Sequence, residues 1–153
     1  IDIGGPGPAK PLPEGHDFYL IAGDMTALPA ISVNLEQLPA NAIGYGVIEV
    51  QCEEDRQDIT VPPGFDLDFI VNPVPGTGAE AILARVRAAA PDLGEMYTWV
   101  ACEFESMRAL RTFLQGERGL GRRQLYISSY WKAGLNEDDH KRIKSEDAAL
   151  AEA

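Results

Sequence analysis

Histidine, cysteine and basic residues are all scarce in this chain of 153 residues. Neither His16 nor His140 stands at ligand spacing from a cysteine, and no serine lies in a Gly-x-Ser-x-Gly motif, so neither a zinc site nor a hydrolase triad is predicted. Cys52 and Cys102 are far apart and form no Cys-x-x-Cys pair, which favours a reducing cytoplasm over a disulfide-bonded secreted protein. The sequence therefore predicts no metal site and no catalytic side chain.

The chain also has few positive charges. Lysine and arginine number 13 against 24 acidic residues, for a formal net charge of -11. A polyphosphate backbone would repel such a protein, which argues against nucleic acid as a partner. No apolar run reaches the roughly 18 residues of a membrane span. A hydrophobic content of 45% is ordinary for a globular domain, and the length fits one domain.

The first residues are rich in proline and glycine and begin without methionine. Such a composition is typical of an extended connector, which we assign to residues 1–16. A connector at this position suggests that another domain precedes it, with a processed mature N-terminus as the alternative.

Apolar runs and helical stripes alternate along the rest of the chain. Strands are predicted at 17–22, 43–51, 67–71, 96–101 and 125–128, and helices at 26–38, at 79–90, around 107–114 and after an Asn136 cap. This order predicts an α/β fold over 17–134, with an open, mostly parallel five-stranded sheet and helices on both faces. Residues 135–153 are predicted to form a charged helix or tail whose thin apolar face needs a partner surface.

Three strand-to-helix turns should converge on one edge of this sheet, which is where open α/β sheets bind ligands. They span 23–26, 101–103 and 129–132. In the third turn, Tyr130, Trp131 and Lys132 follow an apolar strand directly, and these three residues are called the Tyr-Trp-Lys cluster below. Two large rings and a cation suit a ligand site, although aromatic residues also serve packing.

The other two turns leave alternatives open. Gly23 and the helix that follows Thr26 suit either a bound anion or a purely structural junction, and Asp24 suits either a ribose hydroxyl or a helix cap. Cys102 is interpreted either as an activated thiol, which Glu103 beside it opposes, or as a small buried residue.

The loop after the second strand carries charges of both signs. Glu53 and Glu54 would suit a ribose diol and Arg56 a 2′-phosphate, or the loop is merely a solvated surface. The choice between NADH and NADPH therefore stays open.

Taken together, three segments resemble the siderophore-interacting proteins, the flavin-dependent ferric-siderophore reductases. The segments are Tyr19-Leu20-Ile21-Ala22-Gly23-Asp24-Met25-Thr26-Ala27-Leu28-Pro29, Trp99-Val100-Ala101-Cys102-Glu103, and Ser129-Tyr130-Trp131-Lys132 with Gly134. The match corresponds to the C-terminal half of that family, a nucleotide-binding domain of the ferredoxin-reductase type.

The resemblance implies an NAD(P)H-binding domain that supplies hydride to FAD, which reduces siderophore-bound Fe(III). FAD would be held mainly by an N-terminal domain that this chain lacks, and the ferric siderophore would be the substrate. A nucleotide- or partner-binding module without its own turnover is the alternative.

The resemblance also implies roles for individual residues. Family members often carry a glycine where this chain has Cys102, so an extra side chain is expected there. Lys132 would face the siderophore. The residues expected to contact the cofactors are Gly23, Asp24, Thr26, Ala27, Pro29, Ala101, Cys102, Glu103, Tyr130 and Trp131.

Overall fold

The computed structural model describes residues 12–92 and 94–152. The predicted connector over 1–16 lies mostly outside the described residues. Five strands are present: β1 (Phe18–Asp24), β2 (Ile43–Val50), β3 (Gly64–Val71), β4 (Met96–Glu103) and β5 (Leu125–Trp131). Four α-helices are present among these residues: α1 (Leu28–Glu36), α2 (Ala79–Ala89), α3 (Phe104–Arg111) and α4 (Glu137–Glu152).

The strands form one sheet in the order β3-β2-β1-β4-β5. All four neighbouring pairs are parallel, so the predicted α/β sheet is confirmed. The strand order reverses between β1 and β4. Their carboxyl ends therefore flank the position at which sheets of this kind leave a crevice.

Apolar residues cover both faces of the sheet, as continuous hydrophobic strands require. On one face α1 packs Ile31 and Leu35 onto Ile21 and Ile48, and on the other α2 and α3 cover a second core centred on Leu20. Alternate residues of β1 thus serve opposite cores, and full burial of each such side chain stabilises the fold by about 1.5–3 kcal/mol.

The strands run further than the sequence patterns predict. β1 continues through Gly23 to Asp24, β4 reaches Glu103, and β5 extends to Trp131. β3 begins at Gly64, three residues earlier than predicted. The polar ends of these strands have the composition of turns, but pairing with neighbouring strands keeps their backbone extended.

The helix predicted to begin at a Thr26 cap is wrong in its first turn. Met25–Ala27 form a short 3₁₀ helix, and α1 begins only at Leu28. Asp24 is the residue that caps, and it accepts a hydrogen bond from the backbone of Thr26. Pro29 lies in the first turn of α1, where the N–H that it lacks has no partner to lose.

After β4, α3 continues into a π-helical turn over Thr112–Glu117. This turn ends at the glycine-rich segment where the sequence predicted a stop. Among the described residues no helix is long and apolar enough to cross a membrane.

The C-terminal helix finds its partner surface within this chain. Asn136 caps it as predicted, accepting from the N–H of Asp139 at 2.9 Å. Ile143 packs against the core beneath α3, and Arg111 donates two hydrogen bonds to Asp147, at 2.6 and 3.0 Å. α4 therefore docks on β5 and α3.

Candidate functional site

The carboxylate of Asp24 joins three elements at the carboxyl edge of the sheet, called the ligand edge below. One oxygen accepts from the N–H and the hydroxyl of Thr26. The other accepts from the N–H of Glu103 at 2.9 Å and from the indole N–H of Trp131 at 2.8 Å. Asp24 is 5% exposed. The three predicted turns therefore do converge, and the buried carboxylate acts as a helix cap.

An irregularity in strand pairing places Trp131 in this position. Cys102 pairs with Ser129, but Glu103 pairs with Trp131, so Tyr130 is an extra residue in β5. Such bulges re-aim the side chains that follow them. Trp131 thereby points to the end of β1. Its ring also approaches Gly76, whose positive φ of 86° forms the turn before α2.

Two further buried carboxylates lie at the same edge. Glu103 caps α3 by accepting from the N–H groups of Glu105 at 2.7 Å and Ser106 at 3.3 Å. Glu49, at the end of β2, lies so close to the start of α2 that a methyl group on Gly78 would stand 1.5 Å from its Oε2. With Asp24, every helix start that follows β1, β3 or β4 has an acidic side chain of this chain against it.

Burial and the neighbouring carboxylates make Glu49 harder to ionise. Burial raises the pKa of Glu49, a hydrogen bond from Asn72 opposes that rise, and the nearby charges of Asp24 and Glu103 add to it. Burial likewise raises the pKa of Cys102 well above its ordinary value, with the same acidic neighbours contributing. An activated thiolate is thus disfavoured at Cys102.

Several residues expected at the cofactor have buried side chains. Cys102 points into the core beneath α3 and is 1% exposed, so no extra side chain projects from the second turn, contrary to expectation. Ala27 and Ala101 lie in the opposite core and are fully buried. Only backbone atoms of these residues can reach a ligand.

Close packing explains why position 23 is a glycine. A methyl group at this position would lie 2.6 Å from the side chain of Ile31 and 2.8 Å from the carbonyl oxygen of Ala101. Close packing between β1, α1 and β4 therefore requires glycine whether or not a ligand approaches.

The Tyr-Trp-Lys cluster is divided in its contacts. Tyr130 is 38% exposed, and burial of its hydroxyl, with Tyr126 nearby, raises its pKa to about 12. Lys132 donates to Glu105 at 2.7 Å, and its ammonium lies 4.5 Å from the centre of the Phe104 ring. The lysine charge is thus already partnered by α3.

The charged loop after β2 remains on the surface. Arg56 forms an ion pair with Glu53 at 2.6 Å, and its guanidinium lies 6.0 Å from the centre of the Phe69 ring. Glu54 is exposed, like Glu53. All three charged side chains thus lie at the surface of the loop.

A small crevice opens at the ligand edge. Its walls include the two buried acids Asp24 and Glu49, together with Thr26, Pro75 and Trp131. A dinucleotide pyrophosphate is anionic and needs free N–H groups or cations, whereas this crevice offers two carboxylates, and the N–H of Thr26 already donates to Asp24. The crevice therefore disfavours the pyrophosphate.

A second, larger and more open groove lies on the other side of Thr26, between α4 and the end of β5. We call it the α4–β5 groove. His140 lines it, is 6% exposed, and shares a 2.9 Å hydrogen bond with the Ser129 hydroxyl. The packing of α4 against β5 therefore buries His140.

Lys144 also lines this groove and was missed by the sequence reasoning. The spacing of His140 and Lys144, one helical turn apart, was the available signal that both face one side of α4. Within residues 12–92 and 94–152, no group of three or more acidic, cysteine or histidine side chains is arranged to hold a metal ion.

Comparisons with known proteins identify the family to which this chain belongs. The family model described as "Siderophore-interacting protein" matches residues 16–134. The ferric vibriobactin reductase ViuB of Vibrio cholerae is 36% identical over 135 residues, which cover 88% of this chain and 50% of that protein.

Solved structures give the same answer. The siderophore-interacting protein SipS from Aeromonas hydrophila matches with a TM-score of 0.82 and 28% identity, over 95% of this chain and 56% of that one. A siderophore utilization protein from T. fusca matches with a TM-score of 0.76 and 28% identity, over 85% and 50%. The chain thus spans about half the length of these relatives.

Proposed function

Because the chain belongs to the siderophore-interacting protein family, we propose that it is the NAD(P)H-binding half of a flavin-dependent ferric-siderophore reductase. The observation that carries this proposal is the Tyr-Trp-Lys cluster, which presents two rings and an ammonium at the ligand edge. The chain covers about half the length of its relatives, which is consistent with a flavin-binding half outside the segment described here.

In such a reductase the nicotinamide supplies hydride and the flavin passes electrons to chelated iron, so the cofactors carry the redox chemistry. The residues of this chain bind and position. Asp24 holds the Trp131 indole in one orientation. Trp131 and Tyr130 offer ring surfaces to a flat ligand, and Lys132 offers positive charge to an anionic ferric chelate.

Lys132 can exchange its partner Glu105 for an anionic ligand, and this exchange makes the site selective for anions. Its ion pair with Glu105 lies at a partly exposed position, where such pairs contribute about 0.2–1 kcal/mol. A chelate with several negative charges can displace Glu105, whereas a neutral ligand gains little by doing so. We therefore propose that the ferric siderophore is bound as an anion.

Both cysteines are free thiols, in keeping with a proposed cytoplasmic location.

Tryptophan fluorescence tests the siderophore part of this proposal. The chain has two tryptophans. Trp99 is buried in the core beneath α1 and stacks on Tyr126 at 5.3 Å. A ferric tricatecholate chelate should quench Trp131 saturably in Trp99→Phe and leave Trp131→Phe almost unquenched. A chelate that binds neither variant saturably at millimolar concentration contradicts the proposal.

Titration of NADPH and NADH into the same chain tests the nucleotide part. Saturable binding of at least one of them is expected. If neither binds at millimolar concentration, the alternative gains support, namely a partner-binding α/β module without nucleotide. The acidic crevice is the observation that favours this alternative.

A further inference from the structure

Almost every cation of this acidic chain is neutralised locally. Among the described residues, each lysine and arginine except Arg123 and Lys144 lies within 4.0 Å of a described carboxylate oxygen. Arg123 is exposed and precedes β5, at the opposite edge of the sheet. Lys144 is the exception near the ligand edge.

Lys144 is held in place without being neutralised. Its ammonium donates to the Ser128 hydroxyl at 2.8 Å and to the carbonyl oxygen of Ser129 at 3.0 Å. Two of its three N–H groups are thereby used, which leaves one for a ligand. Partial burial lowers the pKa of Lys144, because the charged form loses hydration. A bound anion would compensate for that loss.

The surroundings of Lys144 supply further donors. The α4–β5 groove is also lined by Lys141, His140 and Tyr130, whereas Thr26, at its border, already donates its hydroxyl to Asp24. The Tyr130 hydroxyl keeps its proton at neutral pH, since its pKa is about 12. One carboxylate, Glu137, also lines the groove, and it forms an ion pair with Lys141 at 2.9 Å. The groove is therefore cationic beside an acidic crevice.

We infer that the α4–β5 groove binds a phosphoryl group of the nucleotide, with the Lys144 ammonium as its main contact. This inference rests on the proposed function and places the phosphate outside the crevice. Thr26 borders both the crevice and the groove. A nucleotide can thus pass over Thr26, with its ring near Trp131 and its phosphate at Lys144.

The residues that form this site lie partly beyond the segment that identifies the family. The family match ends at residue 134, whereas α4 begins at Glu137. The groove therefore includes residues outside the segment that the family model matches.

Calorimetric titration of the complete chain with inorganic pyrophosphate, NADH and NADPH at low salt tests the inference. Lys144→Gln should weaken binding tenfold or more, the factor that about 1.4 kcal/mol represents. Arg123→Gln removes the same charge from the other unneutralised cation and should change affinity less than twofold. Loss with NADPH alone identifies the 2′-phosphate, and loss with pyrophosphate and both nucleotides identifies the pyrophosphate.

Equal affinities for Lys144→Gln and the unmodified chain overturn the inference. It is also overturned if the unmodified chain binds none of the three probes. Quenching of Trp131 by the ferric chelate is measured on the same samples. If quenching persists while the groove inference fails, the siderophore part of the proposed function stands. Circular dichroism checks that α4 is intact, and if Lys144→Gln unfolds, Lys141→Gln should still weaken binding about threefold.

Discussion

Replacement of Asp24 by alanine should destabilise the fold and release Trp131. The carboxylate accepts from the N–H groups of Thr26, Glu103 and Trp131. Loss of the cap at Thr26 costs about 1 kcal/mol. The Glu103 N–H is buried and left without an acceptor, which costs a further 1–3 kcal/mol or so. The indole N–H is partly exposed, so water can replace its lost acceptor.

One effect of the substitution is favourable. The charge of Asp24 raises the pKa of Glu49, so its removal relieves repulsion among the buried carboxylates. The net loss should therefore be about 2–3 kcal/mol, out of the roughly 5–15 kcal/mol by which domains are stable. Asp24→Asn keeps one acceptor oxygen and a similar shape, so it should lose roughly half as much.

Urea unfolding followed by far-UV circular dichroism measures the loss, and the emission maximum of Trp131 in a Trp99→Phe background should move to longer wavelength. Asp66, which is exposed on β3, is the matched control, and its replacement by alanine should change stability by less than about 0.5 kcal/mol. The reasoning is refuted if Asp24→Ala is as stable as the Asp66→Ala control.

Three other experiments, which use five substitutions, test the remaining contacts. Lys132→Ala should weaken binding of the ferric chelate about tenfold, whereas Glu105→Gln, which frees the lysine, should strengthen it about two- to fivefold in a fluorescence titration; changes of the same sign would contradict the exchange of partners. Glu49→Gln should reduce the loss of unfolding free energy that the protein shows as pH rises above 4.5. The raised pKa of Glu49 makes the folded state bind more protons than the unfolded state in that range, so the folded state loses stability as pH rises. If the urea midpoint depends on pH in the same way with and without the substitution, the prediction is wrong. Gly78→Ala should cost about 1–3 kcal/mol by displacing the Glu49 carboxylate, while Gly116→Ala, with open space around it, should be neutral; equal melting temperatures would disprove the clash.

The fold was predictable because strands buried on both faces appear in the sequence as continuous runs of apolar residues. The alternation of strands and helices specified a parallel sheet, and β1, buried on both faces, was visible as the continuous run that ends at Ala22. Strand ends were less visible. Gly23 and Asp24 have the composition of a turn, and only pairing with β2 and β4 keeps them in the strand.

The site was predictable as a meeting of three turns but not in its contacts. An extra residue in β5 is invisible in one sequence, yet it decides that Trp131 rather than Tyr130 reaches Asp24. The burial of His140 could not be foreseen either, because α4 has few apolar residues and its docking depends on Ser129 and on the ion pair of Asp147. Such choices are tertiary, and no local pattern encodes them.

The bond between Trp131 and Asp24 joins residues 107 positions apart, and this separation has a consequence for synthesis of the chain. Chains fold from the N-terminus as they leave the ribosome. The pairs of β1 with β2 and with β4 become available before β5 emerges from the ribosome. The sheet can therefore assemble first, and the ligand edge is completed only when Trp131 emerges. A nascent or truncated chain that stops before Trp131 would keep much of its core and lack its binding edge.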